Sequence, residues 1–271
     1  MKWRLMAMDA IEASQVCYCL DDFNLKDVSV SIPKGKMTSI VGPNGSGKST
    51  FLKVVSQLVR CQSGDLRINN QPLQCFKKKE FAQTVTMLPQ SKDSVPDVTV
   101  KEFIAFGRAP YQHQFQFRSS GADEEAIMWA MEATGTSKFQ DKMYYALSGG
   151  EQQRVRIAMA LAQKTEILLL DEPTTYLDIS HQIELMEMLR HINERYQITI
   201  VMVLHDLHQA TVYSDYMIAM KSGAIAQTGV PKHVLTAQFL KEVYRIDATV
   251  RFEDGFPIII PVKYTKEALS V

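Results

Sequence analysis

Hydrophobic residues recur with two different periods along the chain. Short alternating or continuous apolar runs, which are typical of β-strands, occur at residues 28–32, 37–41, 66–69, 85–88, 167–170, 198–204, 216–220, 224–227, 248–252 and 257–262. Helical periodicity occurs between several of these runs, at residues 51–58, 181–196, 207–214 and 238–244. This alternation of strands and helices predicts an α/β fold with a largely parallel sheet.

The pattern changes between residues 91 and 163, where helical periodicity dominates. Residues 98–107 and 122–134 have apolar positions at helical spacing, and Pro110 and Gly121 separate them. We therefore interpret residues 91–163 as a helical subdomain inserted into an α/β core. That core comprises residues 1–90 and 164–271, so the whole chain is predicted to form one domain.

Composition narrows the classes of partner and compartment. The chain has 271 residues, 46% of them hydrophobic, and a formal net charge of zero, which gives no support to binding of bulk nucleic acid. Its four cysteines are too scattered for a disulfide framework, which favours reduced thiols and the cytoplasm. No apolar run approaches the ~20 residues that span a bilayer, and the first residues lack a secretory signal. Any membrane role is therefore expected to be that of a peripheral subunit.

A glycine-rich segment lies between the strand at 37–41 and the helix at 51–58. It fits the phosphate-loop pattern, and its residues are Gly42, Pro43, Asn44, Gly45, Ser46, Gly47, Lys48, Ser49 and Thr50. Glycines let successive N–H groups face a phosphate, and the helix N-terminus adds partial positive charge. Lys48 would neutralise the β- and γ-phosphates, and the Ser49 hydroxyl would ligate Mg²⁺. The alternative is an ordinary glycine turn, but the strand–loop–helix context favours nucleotide binding.

Two carboxylates, Asp171 and Glu172, follow the apolar strand at 167–170. The carboxyl ends of buried parallel strands form the sheet edge at which ligands bind in α/β folds. Asp171 would reach Mg²⁺ through water, and Glu172 is the better candidate for polarising an attacking water. The alternative is an acidic helix N-cap region before Pro173. The phosphate loop upstream favours the catalytic interpretation.

Three further polar residues are weaker candidates when taken singly. His205 follows the strand at 198–204 and could contact a γ-phosphate or the attacking water, although such a histidine is more often structural. Gln90 follows the strand at 85–88, and its amide oxygen could ligate Mg²⁺. Tyr18 could stack on a purine, but spacing alone favours a half-buried aromatic residue in a strand.

The segment of residues 147–154 allows two interpretations. Ser148 and Glu151 have the spacing of a capping box, which predicts the start of a helix. Gly149 and Gly150 fit a plain helix start poorly and would allow an anion to approach free N–H groups. The residues alone leave helix cap and anion site equally open.

The order of these motifs along essentially the whole chain resembles that of the ATP-binding subunits of ABC transporters. The resemblance rests on the phosphate loop, Gln90, the Ser-Gly-Gly segment, the strand ending in Asp171 and Glu172, Asp178 and His205. It implies a P-loop NTPase (RecA-like) core with an antiparallel β subdomain and an inserted α-helical subdomain, using ATP and Mg²⁺. It further implies that Gln90 is the Q-loop residue, His205 the switch histidine, Asp178 the D-loop aspartate and Tyr18 the adenine-stacking residue.

Three segments look like those of importers for iron-siderophores, haem and cobalamin: residues 106–111, 172–182 and 254–261. Ferric siderophores are the first expectation, with haem or cobalamin as alternatives. The resemblance implies a homodimer in which each ATP lies between the phosphate loop of one subunit and Ser148–Gly150 of the other. It thereby assigns the phosphate contact to Ser148, Gly149 and Gly150, with Glu151 as a supporting residue. It also implies two permease subunits, indirect cooperation with a substrate-binding protein, and a peripheral location on the cytoplasmic face of the membrane.

Residues 90–118 are predicted to dock the permease, because aromatic and basic residues there suit interface anchors. The anchors proposed are Arg108, Tyr111, Phe115, Phe117 and Arg118. The alternative is an internally packed aromatic cluster. Two rival functions are a soluble ABC-type ATPase acting on nucleic acid or ribosomes, and a nucleotide sensor that does not hydrolyse ATP. Zero net charge and the lack of a coiled-coil insertion disfavour the first, and intact Lys48, Asp171 and Glu172 disfavour the second.

Overall fold

The computed structural model describes residues 8–20, 23–90, 97–111 and 120–262. Its largest element is a six-stranded sheet. The strands of this sheet are β3 (Met37–Val41), β6 (Val85–Leu88), β7 (Ile167–Asp171), β8 (Thr199–Val203), β9 (Tyr216–Lys221) and β10 (Ala224–Gly229). They lie in the order β10-β9-β3-β8-β7-β6, and only the β9–β10 hairpin is antiparallel. Every residue of β3, β7 and β8 is buried, as expected for parallel strands covered on both faces.

A second, antiparallel sheet is formed by residues near the start of the chain. Its strands are β1 (Asp9–Leu20), β2 (Phe23–Pro33), β4 (Ser63–Ile68) and β5 (Gln71–Pro72), in the order β2-β1-β4-β5. The sequence pattern missed β1, because bulges at three points in its pairing with β2 interrupt the strict alternation of apolar positions. The antiparallel subdomain implied by the family resemblance is thus present.

Helices surround the parallel sheet and form the inserted segment. The first group is α1 (Lys48–Val55), α2 (Lys78–Thr84), α3 (Val100–Ala105), α4 (Gly121–Thr134) and α5 (Gly149–Ala162). The second is α6 (Ile179–Tyr196), α7 (Leu207–Tyr213), α8 (Pro231–Val234) and α9 (Ala237–Phe239). Between residues 97 and 163, α3, α4 and α5 pack on one another, which confirms the predicted helical insertion. The limits of that insertion at residues 91 and 163 stay a prediction.

The chain after α9 differs in detail from its predicted helix. Leu240–Tyr244 form a π-helix, which ends at Arg245 in the left-handed conformation. A separate two-stranded antiparallel hairpin follows, made of β11 (Ala248–Glu253) and β12 (Phe256–Pro261). Strand β12 packs against α7.

Two buried apolar clusters lie on opposite faces of the large sheet. One joins the sheet to the helices of residues 97–163 and to α6, and the other joins it to α1 and to the antiparallel sheet. Both faces of β3, β7 and β8 are therefore fixed by packing, which holds the loops at their carboxyl ends in place. Within the described ranges, no helix is both long enough and apolar enough to cross a membrane.

Candidate nucleotide-binding site

The phosphate loop leaves β3 at Gly42 and enters α1 at Lys48. A β-carbon on Gly42 would come within 2.2 Å of the carbonyl oxygen of Met220 in the neighbouring strand β9, so the loop requires glycine there. Gly47 is the N-cap residue of α1 and has a φ of 104°, a conformation that glycine adopts without steric cost. The loop thus curves around the N-terminus of α1, where free N–H groups and the helix dipole favour an anion.

Lys48 lies inside this loop rather than on the surface. Its side-chain amine donates hydrogen bonds to the carbonyl oxygens of Gly42, at 2.8 Å, and Pro43, at 3.1 Å. Burial lowers the pKa of Lys48, and the charges of Glu172 and Asp171 act in the opposite direction. The ammonium group is therefore held where a bound polyphosphate would meet it.

Ser49 and Asp171 form a pair of hard oxygen donors at the edge of the sheet. The Ser49 hydroxyl donates a hydrogen bond of 2.8 Å to Oδ1 of Asp171, which is the last residue of β7. Burial raises the pKa of the Asp171 carboxyl, with the Ser49 hydrogen bond opposing and the Glu172 charge adding to the rise. A hydroxyl and a carboxylate are ligands that suit Mg²⁺ or its bound water, so these residues fit the ion that the resemblance implies.

Glu172 lies at the centre of a group of polar side chains. Gln90 Nε2 donates to Glu172 Oε2 at 2.6 Å, and the Thr175 hydroxyl donates to the same oxygen at 3.1 Å. Nε2 of His205 lies 2.5 Å from Glu172 Oε1. Glu172 also has a φ of 52°, in the left-handed region that costs free energy for a residue with a β-carbon. The carboxylate is thus held by three side chains on a strained turn.

These residues surround one open cleft of about 490 Å³. The lining residues are Asn44, Gly45, Gly47, Lys48, Ser49, Thr50, Gln90, Glu172 and His205. The structure therefore brings together the residues that the sequence singled out at the ends of β3, β6, β7 and β8. Ser46, in contrast, is buried within the loop, with 2% of its surface exposed. Thr175 was missed, because nothing in its spacing distinguishes it from a turn residue.

Other predicted site residues lie away from this cleft. Tyr18 is half-buried in β1 and packs against the apolar cluster under the antiparallel sheet. Asp178 is the N-cap residue of α6, and its Oδ1 accepts the His181 N–H at 2.9 Å. Neither side chain lines the cleft, so their assignment to the nucleotide stays a prediction.

The Ser-Gly-Gly segment forms the N-terminus of α5. Ser148 is the N-cap residue, its hydroxyl accepts the Glu151 N–H at 3.3 Å, and Glu151 Oε2 accepts the Ser148 N–H at 2.8 Å. Hydrogen bonds from Ser148 help to hold the pKa of Glu151 below its ordinary value. The predicted capping box is thus confirmed. Ser148 and Gly149 are exposed, which leaves this end of the helix open to a ligand from outside the subunit.

The docking interpretation is wrong for Arg108, whereas Tyr111 is half-buried and its docking role stays a prediction. Arg108 is buried; its Nε donates to Asp123 Oδ1 at 2.7 Å and its Nη1 to the Ala162 carbonyl at 2.7 Å. Its guanidinium also lies 3.7 Å from the Tyr111 ring centroid. These contacts are internal, so the packed alternative applies here. The other three proposed anchors, Phe115, Phe117 and Arg118, lie outside the described residues.

Two side chains of α5 that the sequence did not single out connect that helix to the site. Gln153 Nε2 donates to the Pro173 carbonyl at 2.9 Å, just after Glu172. Arg156 Nη2 donates to the Pro89 carbonyl at 2.8 Å, just before Gln90. Movement of α5 relative to the sheet would therefore pull on both segments that hold the Gln90–Glu172 hydrogen bond. Only their helical spacing on one face of α5 could have indicated this role.

The parallel sheet, its phosphate loop and the carboxylates at the carboxyl end of β7 define a P-loop NTPase. Residues 25–175 match the family model for the ABC transporter. The iron(3+)-hydroxamate import ATP-binding protein FhuC of Bacillus subtilis is 44% identical over 83% of this chain and 84% of its own length. The chain therefore belongs to the ABC transporter family of ATP-binding proteins, and it is an ATPase.

Other similar proteins agree with this family. The ferric enterobactin transport ATP-binding protein FepC of Escherichia coli is 41% identical over 89% of each chain. A metal-chelate type ABC transporter solved in an inward-facing conformation has a TM-score of 0.81 at 20% identity, covering 96% of this chain and all of that one, which supports the fold alone. An ATP-binding cassette solved as a dimer with ADP and Pi has a TM-score of 0.68 at 28% identity, and the match covers 82% of this chain and 98% of that one.

Proposed function

We propose that this chain is the ATP-hydrolysing subunit of an importer for ferric siderophores. The observation that carries the catalytic part is the Glu172 carboxylate, which Gln90, Thr175 and His205 hold beside the phosphate loop. The cargo is supported by similarity to relatives named for hydroxamate and enterobactin import, each aligned over more than four fifths of both chains. The tail at residues 254–261 adds the sequence resemblance noted above.

In hydrolysis, Glu172 accepts the proton of the attacking water and orients it toward the γ-phosphate. His205 holds one carboxylate oxygen and Gln90 the other, so the orientation of the base is fixed. Lys48 and the N-terminus of α1 stabilise negative charge on the phosphates. Ser49 and Asp171 would hold Mg²⁺, which would supply further neutralisation of phosphate charge.

A single subunit supplies only one side of this site. The exposed N-terminus of α5, with Ser148, Gly149 and Gly150, offers a second phosphate-facing helix end that does not line the subunit's own cleft. In a two-fold homodimer it would close over the ATP of the other subunit, with Asp178 near the same interface. ATP then favours the closed dimer, and hydrolysis removes the contacts that hold it closed. Opening and closing would drive two permease subunits, which cooperate with a substrate-binding protein outside.

The experiment that tests this function is isolation of the chain with its membrane partner. The chain should co-purify with a multi-span permease from the cytoplasmic face of the membrane. In vesicles that contain the complex and its binding protein, ferric hydroxamate or catecholate chelates should stimulate ATP hydrolysis several-fold. Stimulation by haem or cobalamin instead would mean that the cargo is not a siderophore, but it would not contradict the ATPase role. Co-purification with ribosomes or nucleic acid and no permease would contradict the importer.

A further inference from the structure

Two glutamine side chains connect α7 to the turn that follows Glu172. Gln182, in the first turn of α6, donates from Nε2 to the carbonyl oxygens of Thr174, at 3.3 Å, and Leu177, at 2.9 Å. Its Oε1 accepts a hydrogen bond of 2.6 Å from Nε2 of Gln209. Gln209 is a buried residue of α7, with 8% of its surface exposed. The two amides thus form a bridge between α7 and the turn, which we call the glutamine bridge.

The direction of both amides follows from their partners. A carbonyl oxygen can only accept a hydrogen bond, so the nitrogen of Gln182 faces the turn and its oxygen faces Gln209. Gln209 must then present its nitrogen, and its Oε1 is buried without a hydrogen-bond partner among the residues that the structure describes. An unpartnered buried acceptor costs free energy, which an apolar pair between α6 and α7 would avoid. The ordered donors and acceptors instead specify one position of α7 relative to the turn.

The same turn and the same helix carry the contact between His205 and Glu172. His205 directly precedes Asp206, which is the N-cap residue of α7 and whose Oδ1 accepts the N–H of Gln209 at 3.2 Å. Glu172 begins the turn that Gln182 holds. His205 Nε2 and Glu172 Oε1 lie 2.5 Å apart. The glutamine bridge and the His205–Glu172 contact therefore join the same two elements at two points.

Both partners of the catalytic contact need support from outside the cleft. The His205 side chain is 44% exposed, so packing around the ring does not fix its position. Glu172 and Tyr176 have φ values of 52° and 66°, and such strained backbone persists only where surrounding contacts hold it. The glutamine bridge supplies this support, because it anchors the turn through two carbonyl oxygens and α7 through a buried side chain.

We propose that Gln182 and Gln209 are positioning residues that hold His205 against Glu172 during ATP hydrolysis. Neither amide lines the nucleotide cleft, so both act through the elements that carry the base and the histidine. The inference rests on the proposed catalytic role of Glu172 and adds the residues that fix its geometry. A small separation of α7 from the turn lowers the rate of the chemical step. It leaves nucleotide binding unchanged, because the phosphate loop provides that binding.

The test replaces each glutamine by methionine, a flexible side chain that fills the space without making the hydrogen bonds. In the purified full-length chain, Gln182→Met and Gln209→Met should each lower kcat for ATP hydrolysis about 3–10-fold and leave KM for ATP within about twofold. The double variant should lose no more than Gln182→Met alone, because both changes break one bridge. Gln83→Met is the matched control, since Gln83 is half-buried and donates to the Pro110 carbonyl outside the cleft. It should keep the normal kcat.

The NMR signal of the His205 ring provides a measurement that a general loss of stability does not change. This signal is identified by its absence in His205→Ala. It should shift or broaden in both bridge variants and stay in place in Gln83→Met. Circular dichroism at the assay temperature measures the folded fraction, and a fall in kcat no larger than the fall in that fraction would mean a purely structural role.

The outcomes distinguish the bridge from the catalytic role on which it rests. An unchanged kcat or an unchanged His205 signal in both bridge variants would overturn the positioning role. If Glu172→Gln is inactive in the same assay, Glu172 would still stand as the base. Normal turnover of Glu172→Gln would contradict both the proposed base and the bridge that positions it.

Discussion

The imidazole ring of His181 lies against the α-carbon of Gly150. A β-carbon at position 150 would come within 2.0 Å of His181 Cδ2, whereas one at position 149 would meet no atom within 4 Å. The contact joins the N-terminus of α5 to the first turn of α6. Arg154 and Glu184 strengthen this junction with an ion pair at 2.5 Å. Packing therefore requires glycine at position 150 but places no such requirement on position 149.

Replacing each of these glycines by alanine should show this difference as a difference in stability. Gly150→Ala should destabilise the protein by about 1–3 kcal/mol, because the new methyl group overpacks against the His181 ring. Gly149→Ala should leave stability unchanged or raise it by up to ~1 kcal/mol, because alanine is the better helix former. Urea unfolding of both variants measures the difference. Adding His181→Ala to Gly150→Ala should recover most of the loss, and no recovery would place the strain elsewhere.

Much of the site could be predicted from the sequence because its residues are fixed by backbone geometry. The phosphate loop and the carboxylates Asp171 and Glu172 occur where a strand ends, and the carboxyl ends of parallel strands meet at one edge. The helix start at Ser148 was similarly predictable, because a capping box is a local feature. Side-chain packing between residues far apart in the sequence was not predictable. The Gly150–His181 contact spans thirty-one positions, and no local spacing indicates it.

Arg108 shows that sequence composition can also suggest an exposed residue where the structure has a buried one. Aromatic and basic residues together suggested an exposed anchor, but the guanidinium finds a buried acid, a helix-end carbonyl and an aromatic ring. Composition alone does not distinguish a surface cluster from a buried one. Strand β1 was missed for a related reason, since its bulges remove the alternation on which strand prediction depends.

Glu172→Gln should separate ATP binding from turnover. The amide keeps the size of the side chain but cannot accept a proton, so turnover should fall at least ~100-fold with nucleotide affinity nearly unchanged. The variant should also accumulate as an ATP-bound dimer. Glu166→Gln is the control, because Glu166 is an exposed acid just before the other end of β7. Phosphate release measures turnover, and gel filtration measures the amount of dimer. Normal turnover in Glu172→Gln would mean that Glu172 is not the base.

Lys48→Ala should weaken nucleotide binding itself. Loss of a charge-assisted contact to the phosphates is worth about 1.5–3 kcal/mol, which corresponds to roughly 10–100-fold in the dissociation constant of ATP. Lys53→Ala provides the comparison, because Lys53 is exposed on the same helix. Isothermal titration of both variants with ATP measures the effect. Equal affinities would mean that the amine stays with the loop carbonyls when ATP binds.

Asp171→Asn should make the nucleotide-free protein more stable at neutral pH. Burial raises the folded-state pKa of this carboxyl, so the ionised form is the less favourable one in the folded state. The resulting loss of stability is fully present above the raised folded-state pKa. It disappears below the ordinary pKa that the carboxyl has in the unfolded chain. The advantage of Asp171→Asn should therefore shrink as the pH falls to about 4. Thermal melts from pH 4 to 8 check this, and an advantage that grows on acidification would contradict it.

The ion pair between Arg108 and Asp123 should be a large source of stability in the helical segment. Arg108→Met should cost about 3–5 kcal/mol, because it leaves the buried Asp123 carboxylate without its partner. Burial acts to raise the pKa of Asp123, but hydrogen bonds from Arg108 and Ser120 lower it overall. Lys241→Ala, which removes an exposed ion pair with Asp247, should cost less than ~1 kcal/mol. Chemical unfolding curves measure both.

The left-handed turn at Glu172 sets a limit on how this protein can be improved. A stabilisation campaign that replaced non-glycine residues at positive φ by glycine would rank Glu172 beside Tyr176, whose φ is 66°. At Glu172 that change would relax the backbone and discard the carboxylate that three side chains hold. Under the proposed function, backbone stability and turnover therefore make opposite demands on this one residue. Engineering for heat resistance should therefore change other positions and leave Glu172 in place.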